Sequence, residues 1–216
     1  MHFDTLRQTM IDTQVRTWEV FDPNVLRVLQ QVKREQFVPA HLQELAFADY
    51  EIPLDHGERM WTPKMEARVL QELDIQPEDR ILEVGTGSGY FTALLASLGG
   101  VVYSVDDRAD FVTLAEARLQ RQGINNVHLQ VGDASAGWSA AAPYDVIVLT
   151  GALPQLPKGF REQLRPGGRL LALEGQSPLV RVRRYRRGSD ASLRGTDLFD
   201  TDIPPLRHSP TRSFQF

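Results

Sequence analysis

The sequence predicts an α/β protein with a doubly wound, mostly parallel sheet, a helical extension before it and extra strands after it. From residue 63 onwards, short apolar runs alternate with helical segments, which is typical of a parallel sheet covered on both faces. A glycine-rich stretch, LEVGTGSGY (residues 82–90), directly follows the first of these runs. The flanking segments lack this alternation, so we divide the chain into residues 1–62, 63–178 and 179–216.

The first segment, residues 1–62, has helical signals followed by a loop. Asp22 and Pro23 form a good helix start, with the aspartate as N-cap and the proline at the first helical position. Four apolar residues follow at helical spacing: Val25, Leu26, Leu29 and Val32. Residues 49–62 (DYEIPLDHGERMWT) have no clear period, and we expect them to form an ordered loop.

The second segment, residues 63–178, is the predicted core of the fold. Five apolar runs are expected to be strands: 80–84, 101–105, 127–131, 146–149 and 170–173. Three apolar faces have helical spacing: Met65, Val69, Leu70 and Leu73; Phe91, Leu94, Leu95 and Leu98; and Phe111, Leu114, Ala115 and Leu119. This order of elements is that of a Rossmann-like sheet.

The third segment, residues 179–216, has short polar–apolar alternations and ends in RSFQF. We expect it to supply strands or a hairpin that completes the sheet. It begins with LVRVRRYRRG (residues 179–188), which contains five arginines. Two interpretations are open: an edge strand whose solvated arginines discourage edge-to-edge pairing, or a patch that binds anions or nucleic acid.

Composition excludes several classes of function. Hydrophobic residues make up 42% of the 216 residues and charged ones 24%, the balance of a globular protein. The absence of cysteine excludes disulfides, thiolate metal sites and a cysteine nucleophile, and the five histidines lack metal-ligand spacing. With a net charge of −4, nucleic acid is not expected as a partner. Without a signal-peptide pattern or a run of ~20 apolar residues, we expect a cytoplasmic protein that does not enter membranes.

The glycine-rich stretch lies where the first strand passes into its helix, the place at which such sheets bind ligands. Gly85, Gly87 and Gly89 are spaced differently from the dinucleotide pattern G-x-G-x-x-G, and the lysine of a phosphate-binding P-loop is absent. Glycines let the backbone approach a ligand, and the helix that follows offers free N–H groups. Ligand binding is therefore favoured, with a plain tight turn as the alternative.

Two acidic residues follow at the ends of predicted strands. Asp106 ends the second strand, where a carboxylate can accept from both hydroxyls of a ribose. Asp133 ends the third, from where it can reach an adenine edge, although each acid could instead cap a helix. Because no basic partner for phosphate accompanies them, the two acids suit adenosine joined to a group without phosphates. S-adenosylmethionine fits that description.

The chain resembles the protein-L-isoaspartate O-methyltransferase family over most of its length. The resemblance rests on residues 31–57 (QVKREQFVPAHLQELAFADYEIPLDHG), LEVGTGSGY, VYSVDD, residues 131–157 (VGDASAGWSAAAPYDVIVLTGALPQLP) and residues 164–175 (LRPGGRLLALEG). The FVP element and the GW…APYD stretch with its following P-x-x-P are the most specific parts. The resemblance implies a Rossmann-like methyltransferase fold, S-adenosylmethionine as cofactor and methylation of isoaspartyl residues in damaged proteins.

The resemblance also implies which residues form the cofactor site. The glycine loop would line the methionine and ribose parts, Asp106 would hold the ribose, and Asp133 with Ala134 would flank the adenine. Ala134 stands where the family usually has glycine. The cofactor-binding residues implied in this way are Gly85, Thr86, Gly87, Ser88, Gly89, Asp106, Asp107, Asp133 and Ala134.

One segment departs from the family pattern. Before the helix that starts at Pro63, the family has a threonine and a serine, and the serine is thought to orient the acceptor carboxylate. Arg59 and Trp61 occupy these positions here.

We predict that three residues of the active-site loop are catalytic: Arg59, Trp61 and Thr62. Because of the departure, more than one role is open for each of them. Thr62 could replace the missing hydroxyl or cap the helix. Trp61 could be a pocket wall, a cation–π partner of the sulfonium or a core residue. Arg59 could grip a carboxylate or be an exposed loop charge, and His56 could touch the substrate or make a structural hydrogen bond.

Three functions follow as hypotheses. The first is a carboxyl O-methyltransferase that repairs isoaspartyl proteins, and the second is a divergent relative that methylates another carboxylate or a small molecule. The third is a non-catalytic protein that senses S-adenosylmethionine, or whose arginine-rich strand binds RNA. For a carboxylate acceptor no general base is needed, because free aspartate titrates near ~3.9 and is ionised at pH 7. Positioning then supplies the main rate gain.

Overall fold

The sheet has seven strands in the computed structural model, which describes residues 3–209: β1 Arg80–Val84, β2 Val101–Asp106, β3 Val127–Val131, β4 Tyr144–Leu153, β5 Leu164–Gln176, β6 Leu179–Arg187 and β7 Leu193–Thr201. Their order is β3-β2-β1-β4-β5-β6-β7. Neighbouring strands from β3 to β5 pair in parallel, and β6 and β7 pair antiparallel. The predicted doubly wound, mostly parallel sheet is confirmed. The strand order reverses between β1 and β4, which makes this the switch point where ligands bind.

Residues 3–209 contain six α-helices: α1 Phe3–Met10, α2 Pro23–Gln31, α3 Pro63–Leu73, α4 Tyr90–Ala96, α5 Ala109–Arg121 and α6 Lys158–Gln163. Asp22 caps α2 as predicted, because its side chain accepts from the N–H groups of Asn24 (2.8 Å) and Val25 (3.0 Å). Within residues 3–209, no helix is long and apolar enough to cross a membrane.

The helical faces are buried largely as predicted. All four apolar residues of the α3 face are buried, and α4 ends at Ala96, so that Leu98 lies beyond it, half-buried before a pair of glycines. The prediction was wrong for Leu114, which is 40% exposed. Because α5 packs on β2 and on the edge strand β3, only a narrow stripe of this helix is covered.

The arginine-rich strand β6 lies inside the sheet, so its prediction as an edge strand was wrong. The following strand β7 pairs with its outer side and becomes the edge. Acidic side chains pair with four of its five arginines, and the fifth, Arg187, donates to backbone carbonyls, which weakens the case for a nucleic-acid patch. The ion pairs are Arg181–Asp197, Arg183–Asp197, Arg184–Glu72 and Arg186–Asp74. The RSFQF terminus lies outside the described residues.

The helical N-terminal segment packs on the sheet through both apolar and charged contacts. Val15 of this segment, Leu94 of α4 and Val182 of β6 belong to one continuous apolar cluster. Arg34 crosses from this segment to α3 and forms a buried ion pair with Glu66. This ion pair thus fixes the start of α3 to the N-terminal segment.

Candidate functional site

The glycine-rich loop between β1 and α4 passes very close to its neighbours. Gly85 and Gly89 have φ angles of +98° and +82°, in the left-handed region. A Cβ at Gly85 would overlap the hydroxyl of Thr150, and one at Gly89 would lie 2.8 Å from the Cβ of Ala115 in α5. Glycine is therefore required at both positions for the loop to fold onto β4 and α5.

The two polar side chains of the loop are buried and held in place. Thr86 is 4% exposed, and its hydroxyl lies 2.6 Å from that of Ser104 on β2. Ser88 is 6% exposed; its hydroxyl accepts from the Tyr90 N–H, and its carbonyl accepts from Arg118. These bonds fix the loop against β2 and α5.

Asp106 connects the glycine loop to the end of β2. Its carboxylate accepts from the N–H groups of Gly87 (2.9 Å) and Arg108 (3.0 Å). Burial raises the pKa of Asp106 above its ordinary value, against the opposing effect of these two N–H groups. The carboxylate lines the cleft above the sheet, in the position predicted from the sequence.

Asp133 and Ala134 line the same cleft at the end of β3. Asp133 is exposed, and its carboxylate accepts from the Ser135 N–H at 2.9 Å. This bond lowers the pKa of Asp133 and closes a local turn, and no α-helix begins there. Ala134 is buried.

Asp107 contacts a C-terminal segment that the sequence pattern did not indicate as part of the site. One of its carboxylate oxygens lies 3.1 Å from the guanidinium of Arg207, with which it forms an ion pair, and 3.2 Å from Nε2 of His208. We call residues 203–208 the C-terminal strap. The strap is fixed to the end of β4 by Ala152, which donates to Pro204 (2.9 Å) and accepts from Leu206 (2.8 Å).

The strap forms one wall of the cleft through Ile203, Pro204, Pro205, Leu206 and Arg207. No local periodicity could have identified it, because its partners lie 50 to 100 positions earlier in the chain.

Trp61 forms part of both the cleft wall and the core. Its side chain is 5% exposed, and its ring packs against that of Phe91 with centroids 5.2 Å apart. Its carbonyl accepts from the guanidinium of Arg34 at 2.7 Å. Two of the three roles considered for Trp61, pocket wall and core residue, therefore occur together.

Thr62 precedes α3, but its hydroxyl makes no capping hydrogen bond, so its prediction as a side-chain cap was wrong. Pro63 at the first helical position has no backbone N–H that would need an acceptor, and its φ angle already suits a helix. Helix α3 can therefore begin without a side-chain cap. Thr62 is not among the residues that line the cleft, whereas Arg59 and Trp61 are.

The remaining loop residues hold the loop in position. Arg59 is exposed and lies 3.1 Å from Glu51. Nε2 of His56 lies 2.7 Å from a carboxylate oxygen of Asp110 on α5, and His56 does not line the cleft. Of the two roles considered for His56, the structural hydrogen bond is the one observed.

Two buried glutamates near the cleft were not singled out from the sequence. Burial raises the pKa of Glu66 to about 7 in spite of the Arg34 guanidinium beside it. Burial likewise raises the pKa of Glu83 to about 8, although its carboxylate accepts from Thr92 (2.5 Å) and Ser104 (2.6 Å). Glu83 could have been noticed in the sequence, because it is an acidic residue within the apolar run that forms β1.

Together these elements enclose a cleft with about 960 Å³ of space, open solvent included. Eight of the nine predicted cofactor residues line it, and Gly89 does not. Within residues 3–209, no three His, Asp or Glu side chains are grouped as metal ligands. The predicted cofactor residues that line the cleft are Gly85, Thr86, Gly87, Ser88, Asp106, Asp107, Asp133 and Ala134.

Comparisons with known sequences agree on one family. The model of the family described as protein-L-isoaspartate(D-aspartate) O-methyltransferase matches residues 5–207. Protein-L-isoaspartate O-methyltransferase 1 of Geotalea uraniireducens is 37% identical over 201 residues, which cover 93% of this chain and 92% of that one. The protein-L-isoaspartate O-methyltransferase of Protochlamydia amoebophila is 41% identical over 180 residues, 81% and 85% of the two chains.

Solved structures support the fold. A protein-L-isoaspartate O-methyltransferase aligns with a TM-score of 0.79 at 22% identity, over 92% of this chain and 65% of that one. A Plasmodium falciparum protein of the same description, in complex with S-adenosyl-L-homocysteine, aligns with a TM-score of 0.77 at 18% identity, over 95% and 98%. At these identities the structural likeness shows a shared fold.

Proposed function

Because the chain belongs to the protein-L-isoaspartate O-methyltransferase family, we propose that it methylates the carboxylate of L-isoaspartyl residues in damaged proteins, using S-adenosylmethionine. The observation that carries the proposal is the convergence of the glycine loop, Asp106 and the Arg59–Trp61 segment on one cleft. Such a cleft can hold the cofactor against an acceptor that enters from the loop side.

The cleft fits S-adenosylmethionine in its chemistry. Gly85 and Gly87 allow close approach of the backbone, and the Asp106 carboxylate faces the cleft at the end of β2, where ribose hydroxyls are bound in such folds. The glycine loop carries no basic side chain that would suit phosphates. The cofactor supplies a methyl group on a sulfonium, which is open to in-line displacement by a carboxylate.

The C-terminal strap is proposed to cover the bound cofactor. It lines the cleft, and the ion pair of Asp107 with Arg207 (3.1 Å) ties it to the end of β2. On this proposal Asp107 contributes to the cofactor site by holding the strap.

Arg59 is proposed to orient the acceptor carboxylate in place of the family's serine. Its guanidinium is exposed, lines the cleft and is held at 3.1 Å from Glu51 by an ion pair of the weak, surface type. A guanidinium can donate two parallel N–H bonds to a carboxylate, which fixes its direction of attack. The acceptor is already ionised at pH 7, so positioning is the main task of these residues.

The replacement at Trp61 favours a second candidate function, the methylation of a different carboxylate on a small molecule. A buried indole stands where the family has a hydroxyl, so the acceptor meets an apolar ring at this point. The two candidates share the cofactor and the chemistry and differ only in the acceptor.

The test is transfer of label from methyl-labelled S-adenosylmethionine to an isoaspartyl peptide, with the aspartyl peptide of the same sequence as control. We expect label on the isoaspartyl peptide alone, and a drop in kcat/KM of about 10-fold or more in Arg59→Ala. No transfer at saturating peptide would overturn the proposal. Transfer to a small carboxylate but to no peptide would establish the second candidate.

A further inference from the structure

We infer that Trp61 makes the acceptor end of the cleft a subsite for an apolar side chain, so that the enzyme selects isoaspartyl residues next to a large apolar or aromatic neighbour. This inference rests on the proposed function and specifies its substrate class. Trp61 is thereby a specificity-determining residue of the acceptor site.

Four apolar side chains that line the cleft belong to one hydrophobic core cluster: Trp61 (5% exposed), Phe91 (7%), Met60 (5%) and Ile203 (4%). We call these four residues the apolar wall. An apolar group that enters here leaves water for contact with carbon atoms, which is favourable in proportion to the area covered.

The charged groups near the apolar wall already have partners. Glu66 pairs with Arg34 in the buried ion pair below Trp61. Glu58 lies 3.5 Å from Arg108. Arg59, which is exposed and pairs with Glu51, is assigned to the reacting carboxylate itself. A polar neighbour in the substrate would therefore lose water at the wall without gaining hydrogen bonds, which is costly.

Trp61 is held rigidly enough to act as a selective wall. Its ring is tilted by 58° against Phe91 at 5.2 Å, and its carbonyl accepts from Arg34 at 2.7 Å. Arg34 is itself buried and lies over the ring of Tyr90, 4.8 Å from its centroid. The Arg34 bond fixes the backbone at Trp61, and burial against Phe91 restrains the indole, so the subsite keeps its shape when a substrate enters.

The experiment uses a series of isoaspartyl peptides that differ only in the residue on one side of the isoaspartyl group: serine, glutamate, leucine or phenylalanine. Two quantities are measured, kcat/KM for methyl transfer and the dissociation constant of each peptide with S-adenosylhomocysteine bound. We expect at least about 10-fold higher kcat/KM for leucine or phenylalanine, and the same order in binding. Each position beside the isoaspartyl group is varied in turn.

Trp61→Ser is expected to reduce this preference to less than about threefold, whereas Trp61→Phe retains most of it because an apolar ring remains. Trp18→Phe is the matched control, since Trp18 packs on Phe199 of β7 and does not line the cleft. If Trp61→Ser does not fold in a thermal unfolding assay, the larger polar variant Trp61→Gln replaces it, and the same loss of preference is expected.

The outcomes separate the two proposals. Efficient methylation with equal kcat/KM across the peptides overturns the inference about Trp61 and leaves the proposed function standing. No methylation of any peptide overturns the proposed function. In that case the binding constants decide: an apolar preference that Trp61→Ser removes supports the subsite, and equal dissociation constants overturn it.

Discussion

Gly89→Ala is expected to destabilise the protein more than Gly123→Ala, although both glycines have left-handed backbones. Their φ angles are +82° and +69°. A Cβ at Gly89 would lie 2.8 Å from the Cβ and 3.1 Å from the Cα of Ala115, whereas a Cβ at Gly123 would meet nothing within 4 Å. The two substitutions share the backbone strain and differ only in the contact with α5.

The expected magnitudes follow from these two terms. Alanine in the left-handed region costs about 1–2 kcal/mol, and both variants carry this cost. Overpacking against a helix backbone adds about 1–3 kcal/mol at Gly89 alone. We therefore expect a loss of about 1–2 kcal/mol for Gly123→Ala and about 2–5 kcal/mol for Gly89→Ala.

Urea unfolding with a common m-value measures both losses, and calorimetry measures the affinity for S-adenosylhomocysteine. The overlap at position 89 can be relieved only by moving the glycine loop or α5, so Gly89→Ala should also weaken cofactor binding, while Gly123→Ala should not. Equal losses of stability in the two variants would refute the close packing of the loop on α5.

Three further predictions concern the groups around the cleft. Glu83 has its pKa raised to about 8 from 4.5 by burial, so the folded state holds a proton that the unfolded state releases between these values. The free energy of unfolding should therefore fall by up to about 5 kcal/mol as pH rises through this window. Glu83→Gln should flatten that fall in urea titrations, and an unchanged slope would contradict the assignment. Asp106→Asn removes the charge at the end of β2 and should weaken cofactor binding about 10- to 100-fold by calorimetry, whereas an unchanged affinity would exclude its ribose role. Arg207→Ala should speed cofactor release several-fold in stopped-flow measurements, with less than about 1 kcal/mol lost in stability because the ion pair with Asp107 is partly exposed. Release at the wild-type rate would show that the strap does not retain the cofactor.

The parallel core could be predicted because its signals are local. Residues 80–84 and 127–131 form strands with the predicted bounds. Each segment lies between turn-forming residues, which limit where a strand can begin and end. The glycine loop and the two strand-end acids could be placed for a related reason. In a parallel sheet, successive strands end at the same edge, so residues that follow them must lie near one another.

The features that could not be predicted depend on contacts between distant segments. Asp107 meets Arg207 across 100 positions of sequence, and no periodicity encodes such a pair. The place of β6 inside the sheet depends on β7, whose sequence is mostly polar and whose pairing is set by its turn and by acidic partners. Leu114 follows the helical period as well as its neighbours do, but the sheet ends before it can be covered.

In the sequence, Trp61 indicates only that the family's hydroxyl is missing, whereas the structure shows what the indole does instead. The residue is 5% exposed, contacts Phe91 and receives a hydrogen bond from Arg34, so it belongs to the core as much as to the cleft. The carbonyl would accept from Arg34 whatever the side chain, whereas the packing on Phe91 depends on the indole. On the proposal that Trp61 meets the acceptor, one side chain serves both the packing of the loop and the acceptor surface, so a change of acceptor preference at this position must also change how the loop is packed.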